Sequence, residues 1–144
     1  MRMIKWQNGT VITPDQTKLP LQEITLEIKT VEQMAEAIKN LRVRGAPLLG
    51  AAAGFGVALA AYHSNAHTKE KLLAELETAG TIIKRQRPTA VNLFLGVDRV
   101  LNRARGFSGS VEDFKAAVVE EAQKIADEDA LQNRAIGKNG SVLI

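Results

Sequence analysis

Two arginines in this 144-residue chain each stand just ahead of a helix-starting proline, a placement that suits the capture of an anion. The first lies in Arg44-Gly45-Ala46-Pro47, which is followed by fifteen residues, Leu48 to Tyr62, without a charge. The second opens Arg87-Pro88-Thr89, which leads into Ala90-Val91-Asn92-Leu93-Phe94-Leu95. Proline favours the first helical position because its missing N–H would have had no partner there. The first turn of a helix leaves amide groups free and carries the positive end of the dipole, so phosphate oxygens are held well at such a place. Gly45 and Ala46 form a small-residue turn into the first helix, and Arg44 and Arg87 supply charge and a planar fork that binds such oxygens bidentately. Taken singly, each arginine also fits a solvated side chain beside an ordinary helix start. If the two starts converge, two guanidiniums and two sets of free amides share one pocket.

Other candidates carry less. His63 and His67 have the i, i+4 spacing of helical metal ligands, but Asn65 lies between them at a helix end and no third ligand is near, so solvated histidines account for them. Asp127, Glu128 and Asp129 are consecutive and therefore point to different sides of a helix, most toward solvent, with one available to buttress an arginine. Lys84 and Arg85 fit a helix terminus where cations are favoured by the dipole. Gly50 and Gly54, one turn apart, fit close helix packing. No catalytic residue and no metal site is assigned. The absence of cysteine removes disulfides, thiolate nucleophiles and Cys-type zinc sites from these residues.

The elements that must position the arginines follow from pattern. Ile4-Lys5-Trp6 and Thr10-Val11-Ile12 flank Asn8-Gly9, which predicts a β-hairpin with a type I′ turn, and Ile24 to Lys29 alternates as a third strand. Thr30-Val31-Glu32-Gln33 has capping-box spacing ahead of Val31, Met34, Ile38 and Leu41, a helix that delivers the chain to Arg44. After the Pro47 helix, a helix capped by Thr68 buries Leu72, Leu76, Ala79 and Ile83 and reaches about Arg85. The next runs from Arg87-Pro88-Thr89 to about Ala104, apolar on nearly every face until Asp98, which predicts a mid-bundle position. Ser110 caps a long last helix with Phe114, Val118, Ala122 and Ile125 on its inner face, fraying near Gly137, and Ser141 to Ile144 is a strand-like run. The expected fold is α+β: a small antiparallel sheet of about three strands over 1–30, a helical bundle over 31–137, and the start of a link over 138–144. A 45% hydrophobic chain of this length builds a real core, and a net charge of +3 without a basic run argues against nucleic acid. No signal or membrane-spanning segment is found, so a cytoplasmic setting is expected.

These residues resemble methylthioribose-1-phosphate isomerase. The resemblance is carried by Arg44-Gly45-Ala46-Pro47 and Arg87-Pro88-Thr89-Ala90-Val91-Asn92-Leu93, with Asn133, Ile136-Gly137, Gly140 and Asp15-Gln16-Thr17-Lys18-Leu19-Pro20 in order around them. It implies an aldose-ketose isomerase of methionine salvage that opens the ring of 5-methylthioribose 1-phosphate and moves hydrogen from C2 to C1, giving 5-methylthioribulose 1-phosphate without a cofactor. It implies substrate contacts at Arg44, Gly45, Ala46 and Arg87. It also implies a longer protein, whose catalytic cysteine and aspartate lie in a Rossmann-like C-terminal domain outside this sequence, so the chain by itself is expected to be inactive. A homodimer is expected, associating through the apolar edge at Val142-Leu143-Ile144. Leu48-Leu49 and Leu95 depart from the alanine-isoleucine and tryptophan usual there. Related alternatives are ribose-1,5-bisphosphate isomerase and the regulatory subunits of translation initiation factor 2B.

Overall fold

The computed structural model describes residues 4–15, 17, 24–40, 42–43 and 46–143, with side chains described outside 46–47 and 129–143. Lys5–Gln7 (β1) and Thr10–Pro14 (β2) pair antiparallel, Lys5 opposite Ile12 and Gln7 opposite Thr10. Asn8 and Gly9 between them have φ of 50° and 82°, the two positive angles a type I′ turn requires. Thr25–Ile28 (β3) completes the sheet in the order β1-β2-β3. The hairpin is fastened to the helices by Trp6, whose ring stacks on Phe55 with centroids 5.7 Å apart and meets the edge of Tyr62. Sheet and helices share one core, because Ile4, Val11 and Ile28 are buried in the same cluster as Met34, Phe55 and Leu59.

The capping box holds at Val31–Lys39 (α1): the Gln33 amide donates to the Thr30 hydroxyl at 3.0 Å, and the Thr30 amide donates to the Gln33 side chain at 3.3 Å. Ala46–Tyr62 (α2) is the central helix. Every residue from Leu48 to Leu59 is buried, and α2 packs on α1 and on Lys69–Gln86 (α3), Val91–Arg105 (α4) and Val111–Leu143 (α5). A helix without charge and apolar on all sides is satisfied only when surrounded in this way. Thr68 caps α3 by accepting from the Lys71 amide, and Ser110 caps α5 by accepting from the Asp113 amide at 3.1 Å.

Three sequence expectations need correction. Pro88 does not sit in the first turn of α4: it lies in a turn closed by the Ala90 amide donating to the Arg87 carbonyl at 3.0 Å, and the helix begins at Val91. Proline is equally at home in such a turn, since its fixed φ fits the second position. α4 also has an open side, with Val91 68% and Leu95 60% exposed, so the mid-bundle position belongs to α2. Finally, α5 continues through Gly137 to Leu143, where an end near Gly137 and a strand-like run were expected. An isolated glycine costs a helix only about 1 kcal/mol, and no proline intervenes to stop it. Among the described residues, no helix is long and apolar enough to cross a membrane.

Candidate anion-binding site

The relation between α2 and α4 decides whether the two arginine motifs share one place. A Cβ on Gly96 would lie 2.3 Å from the Gly50 carbonyl oxygen and 3.0 Å from the Gly50 Cα, so the two backbones touch there. Gly50 also faces the Asn92 carbonyl, whereas Gly54, one turn later, faces Val100. The contacts ascend together along both helices, which therefore run in the same direction with their N-termini at one end. The first residue of α2, Ala46, stands four residues before this crossing and Val91 stands five before it. At 1.5 Å per residue these are offsets of about 6 and 7.5 Å, so the two helix starts are nearly level. The expected packing role of Gly50 and Gly54 is thus observed, and it is also what aligns the two helix starts.

The α4 start differs from the other helix starts in its capping. Ala90 is the N-cap and has no side chain to cap with, unlike Thr30, Thr68 and Ser110 at the starts of α1, α3 and α5. The Leu93 amide donates to the Ala90 carbonyl at 3.1 Å, so the amides of Val91 and Asn92 are the ones that the helix itself leaves without an acceptor. Arg87, half-buried, ends α3 with φ −145° and ψ 80°. Among the described residues its guanidinium has no hydrogen-bond or ion-pair partner, in contrast to Arg42, Arg99 and Arg105. Lys84 braces this end of α3 to α4: its ammonium is 2.6 Å from Asp98 and 5.3 Å from the centre of the Phe94 ring. Arg44 and Gly45 lie outside the described residues, as does the Ala46 side chain, while the Ala46 backbone opens α2.

The structure also pairs Asp15 with Arg42, a contact that the sequence does not signal. The Asp15 carboxylate is 2% exposed and takes hydrogen bonds from the Thr17 amide at 2.9 Å, the Thr17 hydroxyl at 2.5 Å and Arg42 Nη1 at 2.8 Å. Arg42 Nε is held by Glu36 at 2.7 Å. Burial alone would push the Asp15 carboxyl up, but the Thr17 and Arg42 donors outweigh it and hold the group below the 3.8 of a free aspartate. A depressed folded-state value means that the stability due to Asp15 is complete above the unfolded value and is lost as pH falls below 3.8 through the lower folded value. In acid titrations followed by circular dichroism, Asp15→Asn is therefore expected to be less stable at neutral pH and to lose less stability below about pH 4 than the parent. Parallel acid profiles for the two proteins would contradict this.

The remaining candidates are structural. Glu128 does buttress an arginine: both of its oxygens accept from Arg99, at 2.8 and 2.5 Å, and Arg99 Nε donates to Glu121, joining α4 to α5. His63 Nε2 is 2.9 Å from the Gly9 carbonyl, His67 is exposed, and among the described residues no group of potential ligands could hold a metal. A groove of about 940 Å³ lined by Tyr62, Lys115, Val119 and Gln123 lies along α5 beside the C-terminal half of α2 and touches none of the arginine motifs.

The fold is thus α+β, with an antiparallel three-stranded sheet on a bundle whose second and fourth helices start together. The chain belongs to the Initiation factor 2 subunit family, which it matches over residues 42–144, a span that contains both arginine motifs. It is 43% identical over 145 residues to the methylthioribose-1-phosphate isomerase of Acetivibrio thermocellus, covering all of this chain and 42% of that protein. Among solved structures it is similar to 5-methylthioribose 1-phosphate isomerase from Pyrococcus horikoshii, with 44% identity and a TM-score of 0.85 over 88% of this chain and 36% of that one. It is also similar to a structure described as translation initiation factor eIF-2B, subunit delta, from A. fulgidus, with 43% identity and a TM-score of 0.92 over all of this chain and 42% of that one. The chain spans about two fifths of the length of these relatives.

Proposed function

We propose that this chain is the N-terminal, substrate-holding part of an isomerase that converts 5-methylthioribose 1-phosphate to 5-methylthioribulose 1-phosphate. The observation that carries the reading is the Gly50–Gly96 crossing, which brings the starts of α2 and α4 level at one end. At that end the Val91 and Asn92 amides of α4 lie level with the start of α2, and in this reading they hold the phosphate dianion of the sugar together with Arg87, Arg44, Gly45 and Ala46. Fixing the phosphate orients the ribose so that proton transfer between C1 and C2 falls to groups supplied outside this sequence, an acid-base pair that in the resembled family is a cysteine and an aspartate. The chain contains no cysteine, so binding without turnover is the behaviour expected of it.

The named relatives support the isomerase, and the A. fulgidus structure supports a second reading, a regulatory subunit that uses the same pocket to sense a ligand. An aldose-ketose assay on the full reading frame that carries this segment separates them. Turnover of 5-methylthioribose 1-phosphate that collapses in Arg44→Ala and Arg87→Ala supports the enzyme. A full-length protein that binds sugar phosphates and turns none over supports the regulator, and turnover indifferent to both arginines would overturn the assignment of the site.

A further inference from the structure

The outer stripe of α4 changes character along its length. Val91 and Leu95, one turn apart at the helix start, are 68% and 60% exposed, with half-buried Ala90 and Phe94 beside them. The same side of the helix then continues through Asp98, Arg99 and Asn102, with Asp98 paired to Lys84 and Arg99 to Glu121 and Glu128. We propose that the apolar start of this stripe is an interface within the full-length protein, covered by apolar side chains of the part of the reading frame that follows this segment. The inference rests on reading the chain as the N-terminal part of a longer protein, and needs neither the anion site nor isomerase activity.

Three observations say what covers it. The first is the course of α5. The Phe107 and Phe114 rings meet with centroids 5.9 Å apart, Arg99 Nε donates to Glu121, and Gly54 faces Val100 on α4 together with Ala122 and Ile125 on α5. The α5 numbers rise as the α4 numbers fall, so the two helices are antiparallel. Carried on at this register, Val91 is level with about Ala130, and α5 then runs on to Leu143, roughly 20 Å past the α4 start at 1.5 Å per residue. The backbone therefore leaves the bundle at the end where Val91 and Leu95 are exposed. The second observation is length. The chain covers 42% of the Acetivibrio thermocellus relative, so a reading frame of that size carries more than this chain's length again. A part tethered by α5 meets the nearby α4 face at a high effective concentration. The third is the confinement of the apolar residues. A helix side that met water along its whole length would be polar along its whole length, whereas this one is apolar only at the end from which α5 departs. An apolar centre bordered by charged groups is the usual make-up of an interface between packed parts of a chain.

The test uses the full reading frame with the photo-reactive residue benzoylphenylalanine in place of Leu95. After irradiation the expected product runs at monomer mass on a denaturing gel, and peptide mass spectrometry places the cross-link on residues beyond 144. A cross-link between two copies, one confined to residues 1–144, or none at all overturns the proposal. Should that bulky replacement not fold, cysteine variants of the same full-length protein decide. Labelling of Leu95→Cys by a water-soluble maleimide, read at its own peptide, is expected to be at least about tenfold slower than that of Asn102→Cys on the polar half of the same side, at every protein concentration. Equal rates, or a slow rate at Leu95→Cys that recovers on dilution, overturn it. Sugar-phosphate turnover is read separately. A protein that cross-links as expected and turns nothing over keeps the interface and loses the isomerase reading.

Discussion

Arg87→Ala is expected to weaken binding of inorganic phosphate or a sugar phosphate by at least about tenfold while moving the melting temperature by less than about 2 °C. Hydrogen bonds to a charged group contribute about 1.5–3 kcal/mol, a factor of roughly ten to one hundred and fifty in affinity. The small thermal effect follows from the surroundings. The Arg87 guanidinium has no ion-pair or hydrogen-bond partner among the described residues, so its removal leaves none of their acids uncompensated. The bracing of the α3 end to α4 belongs to Lys84, Asp98 and Phe94, which the substitution leaves untouched. Arg87→Lys should recover part of the loss, since it restores charge but not the fork. Calorimetric titration with thermal denaturation checks both halves. A variant that melts several degrees lower and binds phosphate as before would make Arg87 a structural residue.

Gly96→Ala should produce the largest loss of stability of any single methyl in the bundle, about 3 kcal/mol or more, and should weaken phosphate binding as well. The added carbon would sit 2.3 Å from a backbone oxygen, and neither partner is the end of a flexible side chain that could turn aside. α2 and α4 must part or slide, and the level at which their starts meet is lost with the contact. Gly50→Ala is the control. Its Cβ would meet the Asn92 carbonyl at 3.4 Å, so the helix-propensity gain of alanine, about 1 kcal/mol, offsets most of the crowding. Urea denaturation of the two variants decides the matter: near-equal effects would mean that the helices do not touch as described.

Much of this arrangement was legible in sequence because local chemistry dictated it. Asn8-Gly9 admits the positive φ angles of its turn, Thr30 and Gln33 cap each other, and Leu72, Leu76, Ala79 and Ile83 fall on one face at helical spacing. The α4 start was misplaced because proline serves a turn and a first helical position alike, so Pro88 alone does not choose between them. Apolar Val91 and Leu95 suggested burial, but hydrophobicity states what a residue tolerates and not which side of a helix has a neighbour. The α5 end was misjudged for a related reason: a glycine is a weak stop within a long helix. For the candidate site, Arg87 was singled out by residue type, but the helix start beside it lies further on, at Val91. The level alignment of the α2 and α4 starts was not readable, because it arises from a Gly50–Gly96 contact between residues 46 positions apart. The Asp15–Arg42 pair was invisible for the same reason, since an ion pair between a strand end and a distant turn leaves no periodicity.

The most direct measurement is a two-dimensional ¹H–¹⁵N NMR titration of the chain with inorganic phosphate. The expected result is that saturable shifts concentrate on two short stretches, the amides from Arg44 to Gly50 apart from proline and those from Arg87 to Leu93, and that both stretches follow one binding curve. Shifts confined to one stretch, two unrelated curves, or changes spread over distant surface lysines would contradict a single receptor formed where α2 and α4 begin.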